Sequence, residues 1–214
     1  MADHPPMRAD ARRNREQILR AAHAAFVEYG PAAPLDQIAE RAGVGNATLY
    51  RHFPTREDLI HSVAVHDMDQ VAATATDALD SSPSAWEAIR TFASQVVEHQ
   101  SVAMLPILGG QVESGPRFSE AAARVLSAVD SLVDAARAEG TLRPDVTSGD
   151  LILFLAVATR PLPALSPALA TTLRDRLLGT LLDGLRAGES APLPGLGMTA
   201  EGIVSGLSGA GTEE

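Results

Sequence analysis

The run from Leu35 to Phe53, LDQIAERAGVGNATLYRHF, constrains the fold of this chain more than any other stretch. Leu35, Ile38, Ala39 and Ala42 recur at helical spacing and form one apolar face. Gly43 stands where that helix has to stop, and glycine accepts the left-handed backbone such a stop requires. Val44 and Leu49 then offer apolar contacts for a second helix, and Ala39 is small enough to let the two cross closely. This order of features predicts a helix-turn-helix, whose second helix can lie in the major groove of DNA. The alternative is a helical corner with no nucleic-acid role.

The surrounding sequence extends the helical pattern. A first helix is expected from about Asn14 to Tyr29, with Ile18, Ala22, Phe26 and Tyr29 as its packing stripe and Gly30 as its end. Pro34 is placed to open the next helix. Thr55 with Asp58 three residues on forms a capping box, so a long helix should begin near Arg56 and run to about Leu79. After the turn at Ser81–Ser84, further helices are expected at about 86–100, 105–113, 119–139, 147–159 and 168–187, and no segment alternates like a strand. The expected fold is all-α: an N-terminal three-helix helix-turn-helix head, then a helical-bundle domain for ligand binding and dimerisation. The divisions are a flexible arm at 1–13, the DNA-binding domain at 14–66, the helical domain at 67–187 and a flexible Gly/Pro/Ser-rich tail at 188–214.

The formal net charge of −10 argues against DNA binding only until it is divided. Residues 1–66 hold eight arginines and eight acids, together with five of the six histidines, while the remainder holds nine arginines and nineteen acids. An acidic body behind a neutral head would turn the head toward DNA, although acidic surfaces also serve solubility. Cysteine is absent, which excludes a disulfide framework. The polar N-terminus and the lack of a long apolar run predict a cytoplasmic protein without a membrane partner.

The segment from about Asn14 to Leu59, with AAHAAFVEYG, PLDQIAERAGV and above all GNATLYRHFPTREDLI, resembles the DNA-binding domain of the TetR family of bacterial transcription regulators. The likeness covers roughly the first third of the chain; beyond it, AEGTLRPDVTSGDL resembles a connection before the penultimate helix of many members. It implies a dimeric regulator, most commonly a repressor, that binds a palindromic operator in double-stranded DNA and answers to a small-molecule effector.

The expected DNA-binding residues are Asn46, Ala47, Thr48, Tyr50, Arg51, His52 and Arg56. Asn46 reads as a helix cap or as an amide for adenine, and Ala47 shares its helical turn. Thr48 suits a phosphate or a thymine methyl, Leu49 should point into the head, and His52 suits a phosphate or a base. The resemblance implies that Tyr50 hydrogen-bonds a phosphate, and that Arg56 replaces a lysine that members aim at the DNA backbone. Arg12, Arg13 and Arg15 reach for phosphate or minor groove, or form a solvated tail.

In the C-terminal part, Leu151, Leu153, Phe154, Leu155 and Val157, with Leu173, Leu177, Leu178, Leu181, Leu182 and Leu185, make stripes too wide for one packing face. A homodimer through these last two helices, as a four-helix bundle, is the expectation, with intramolecular core as the competing account. Candidate effector contacts are Trp86, Phe92, Val96, His99, Met104, Gln111 and Phe118, with Leu105 and Val125 beside them. Each, taken singly, reads more readily as plain core. No metal site is expected, because His61 and His66 are five apart and share no helical face. No cofactor fingerprint or nucleophile motif suggests an enzyme. The alternative from another class is a small-molecule sequestering protein whose head no longer reads DNA.

Overall fold

Two left-handed glycines punctuate the head. Gly30 (φ +77°) closes the first helix by donating to the Phe26 carbonyl, and Gly43 (φ +67°) reverses the chain after the second. In the computed structural model, which describes residues 5–103, 115–162, 164–189 and 191–199, these turns separate α1 (Pro5–Tyr29), α2 (Leu35–Arg41) and α3 (Asn46–His52). α4 (Arg56–Ser81) is entered through the capping box: the Asp58 amide donates to Thr55 Oγ1 at 3.0 Å and the Thr55 amide to Asp58 Oδ2 at 3.2 Å. The remaining helices are α5 (Ala85–Glu98), α6 (Pro116–Ala138), α7 (Ser148–Ala158) and α8 (Pro167–Leu185). Among the described residues all regular structure is helical, and no helix is long and apolar enough to cross a membrane.

α4 belongs to two cores. Its first half gives Leu59, Ile60, Val63 and Ala64 to the head, where they meet Ile18, Leu19, Ala22 and Phe26 of α1, Ile38 and Ala39 of α2, and Leu49 of α3. Its second half gives Val71, Ala75 and Ala78 to a larger core shared with Trp86, Ile89 and Phe92 of α5, Val129 and Leu132 of α6, Leu151 and Leu155 of α7, and Leu178 and Leu182 of α8. A helix of 26 residues extends about 39 Å at 1.5 Å per residue, long enough to serve both.

Three expectations change. α1 begins at Pro5, so part of the segment expected as an arm is helical; prolines in a first turn forfeit no intrahelical bond. Tyr29 leaves the packing stripe: it is 52% exposed and lies under the Arg41 guanidinium, which also donates to Glu28 at 2.7 Å. Part of the segment expected as a free tail is tied down: residues 191–198 are hydrogen-bonded to the loop before α7 and to its first turn, while residues 200–214 lie outside the described residues. The helix expected at 105–113 lies outside the described residues.

The leucines of α8 divide by face. Leu178, Leu182 and Leu185 are buried, whereas Leu169, Leu173 and Leu177, spaced by four, are 53%, 45% and 45% exposed. On α7, Leu151, Ile152 and Leu155 are buried and Val157 is exposed.

Candidate nucleic-acid interface

The α2–α3 corner is built by backbone chemistry before any side chain enters. The Gly43 amide donates to Glu40 and the Val44 amide to Ala39, both at 3.0 Å, which satisfies carbonyls at the end of α2. Gly45 caps α3 with extended backbone and no side-chain bond, and its carbonyl receives the amides of Thr48 and Leu49. Asn46 is therefore the first helical residue rather than the cap. Its side chain is exposed, and the capping role falls away.

α3 is anchored at one side and bare at the other. Leu49 and Phe53 are buried in the head core, while Asn46, Ala47, Tyr50 and Arg51 are exposed, with Thr48 and His52 half-buried. Tyr50, at 50% exposure, is a large aromatic ring held in solvent next to a buried leucine. That arrangement presents a phenol hydroxyl, an amide and a guanidinium from a helix that cannot roll.

A second cationic corner adjoins the end of α3. The Arg15 guanidinium of α1 lies 5.3 Å from the centre of the Phe53 ring, a cation–π contact that holds it against the head. His52 Nε2 is enclosed without a hydrogen-bond partner among the described residues. Its burial first, and then the charges of Arg51 and Arg15, lower its affinity for a proton. Arg15, expected to act with the arm, is thus a fixed neighbour of α3. Only the contact between α1 and Phe53 reveals this.

Arg56 does not project freely. Its Nη1 donates to the carbonyls of Pro31 at 2.9 Å and Ala33 at 2.6 Å, so it ties the start of α4 to the connection between α1 and α2. The prolines of that connection are stiff but leave carbonyls without helical partners, and the arginine fork supplies donors.

The described members of the expected effector contacts stand in three different surroundings. Trp86, Phe92, Val96 and Val125 are core, and the Arg186 guanidinium lies 5.0 Å from the Trp86 ring centre. His99 is exposed at the end of α5. Phe118 packs on the head core near the His61 ring, because the first turn of α6 reaches back across α4. Met104, Leu105 and Gln111 lie outside the described residues. Between α4 and α6 runs an open groove of about 690 Å3, lined by small residues such as Ala72 and Ser127 and by the Arg124–Asp69 pair. No group of three or more side chains suited to a metal ion occurs among the described residues.

Comparison with known proteins bears on both halves. Residues 18–63 match the family described as bacterial regulatory proteins, tetR family, and residues 84–187 match the SbtR-like transcriptional regulator C-terminal domain. A TetR transcriptional regulator from Streptomyces coelicolor is 32% identical, with 81% of this chain and 98% of that one covered at a TM-score of 0.63. A TetR regulatory protein from Mycobacterium vanbaalenii is also 32% identical, with 85% and 99% covered at 0.60. An HTH-type transcriptional regulator from Staphylococcus aureus is 42% identical over 64 residues, which are 29% of this chain and 35% of that protein. The match thus spans about a third of the length of such curated relatives.

Proposed function

Since this chain belongs to the TetR family and is a transcription regulator, we propose that it acts as a cytoplasmic homodimeric repressor, bound to a palindromic operator and released by a small molecule. The observation that carries this reading is α3, buried through Leu49 and open through Asn46, Ala47, Tyr50 and Arg51. Asn46, Ala47 and Thr48, at its N-terminal turn, face base edges; Tyr50, Arg51, His52 and Arg15 face phosphates. Arg56 contributes chiefly by fixing the connection behind α3.

One such head makes few base contacts, so specificity calls for two. The stripe of Leu169, Leu173 and Leu177, with Val157, is the surface on which α8 and α7 meet their copies. Release requires an effector that binds the two arrangements of the heads unequally. Among the residues expected to contact it, His99 is exposed and stands where the body approaches the head.

Selection of random duplex DNA on the purified protein tests the reading. Enrichment of a palindrome supports a dimer reading two half-sites. A folded dimer that enriches nothing, with or without cell extract, would favour the sequestering protein instead.

A further inference from the structure

Beyond α8 the chain turns back over the body. Leu142 and Arg186 form an antiparallel bridge, the Arg143 amide donates to the Leu185 carbonyl, and the Ala187 amide donates to the Thr141 carbonyl. The match to the family's C-terminal domain ends at residue 187, and residues 191–198 are bound differently. Side chains now read main chain. Arg143 Nη2 donates to the Ala191 carbonyl at 2.7 Å, and Asp145 Oδ2 accepts from the Leu193 amide at 2.8 Å. Asp150 Oδ1 accepts from the Met198 amide at 3.0 Å, and Thr147 Oγ1 donates to the Met198 carbonyl at 2.9 Å.

The four side chains are held before they bind. Arg143 and Asp145 form a two-armed pair at 2.9 and 2.8 Å, and the Arg143 side chain is only 9% exposed. Hydrogen bonds from Arg143, then from the Leu193 amide, hold the Asp145 carboxyl far below its ordinary range. Thr147 and Asp150 are the capping box of α7, so both rotamers are set by the helix. Two positions of the bound segment carry shape. Leu193 packs on the body core, and a Cβ on Gly197 would collide with the Thr147 methyl, which the capping box prevents from turning away.

We infer that Arg143, Asp145, Thr147 and Asp150 form a peptide-binding site, filled in cis by residues 191–198 of this chain. Its ligand class is a segment that bends at a left-handed glycine, with a leucine two residues before that bend and, two residues after it, a glycine followed by a residue that keeps its amide hydrogen. The affinity comes from main-chain groups, as when peptides are captured through their backbones, and the selectivity from the leucine seat and the glycine contact. Tethering gives the cis segment a high effective concentration, so a free peptide competes poorly until the tethered one is damaged.

The test uses the full chain with Gly197→Val, and separately Met198→Pro, which removes the amide that meets Asp150. In the unaltered protein the Leu193 and Met198 amides should exchange with solvent at least about tenfold more slowly than in the free peptide. In Gly197→Val that protection should fall at both amides, and in Met198→Pro at Leu193. A labelled peptide of residues 188–199 should then bind both variants at least about tenfold more tightly than the unaltered chain. Equal exchange in unaltered protein and free peptide would overturn the inference. So would a folded variant that has lost protection yet binds the peptide no better than the parent does.

Discussion

His23 of α1 and Asp67 of α4 meet through Nδ1 and Oδ2 at 2.8 Å, 44 residues apart in the chain, at the level where α4 passes from the head core to the body core. Both side chains are nearly enclosed, at 16% and 10% exposure. Burial alone would push the imidazole down. The hydrogen bond and charge of Asp67, with a bond from the ring to the His99 backbone carbonyl, outweigh it and leave the pKa above the ordinary 6.5. Burial raises the Asp67 carboxyl, against the bond to His23 and the charges of His23 and His66. One side chain of the head therefore touches α4 and the end of α5 together.

The pair predicts the direction of a pH effect. A histidine whose folded pKa is raised contributes stability that is fully present below about 6.5 and is lost as pH rises through the folded value. In Asp67→Asn the buried ring loses its partner, so its pKa should fall below that of the parent. The difference in thermal stability between parent and variant should be larger at pH 6 than at pH 9. A pH-independent difference, or a His23 NMR titration unmoved by the substitution, would contradict the assignment.

Leu49 and Tyr50, neighbours in sequence, should behave oppositely. Leu49→Ala opens a cavity in the head core and should cost about 2–4 kcal/mol, read by denaturant unfolding. Tyr50→Ala should leave unfolding nearly unchanged and weaken operator binding by tenfold or more, roughly the loss of a phosphate hydrogen bond. Binding unaffected by Tyr50→Ala would place the recognition surface elsewhere.

Arg15→Ala should flatten the dependence of the logarithm of affinity on the logarithm of salt by about one unit, because one phosphate contact fewer releases fewer counterions. An unchanged slope would mean that Arg15 only packs on Phe53.

Arg56→Ala leaves the Pro31 and Ala33 carbonyls without their donor and should cost the head about 1–3 kcal/mol. The readout is melting of the free protein. Wild-type stability together with reduced DNA affinity would instead assign Arg56 to the phosphate backbone.

Leu173→Glu places a charge in the exposed stripe of α8 and should convert a dimer to a monomer by light scattering, without loss of helicity by circular dichroism. A stable dimer in the variant would exclude this face.

The outward place of Tyr50 was implied by the family resemblance. Local features were legible in the amino-acid sequence by itself: the helix end at Gly30, the left-handed turn at Gly43, the Thr55–Asp58 capping box, and the buried side of α3 at Leu49. Each depends on residues within one or two helical turns, so spacing and residue type suffice. The remainder was decided by tertiary structure. Asn46 lost the cap to Gly45 because the corner enters α3 one residue earlier, a matter of backbone direction. Arg56 turned inward because distant carbonyls needed donors, and Phe118 joined the head because α6 crosses α4 there. His23 found Asp67, and the segment after Ala187 found Arg143 and Asp150, across separations that no periodicity encodes. Such pairings arise only after the apolar faces have packed, when buried donors and acceptors must take whatever partner the packing brings within reach.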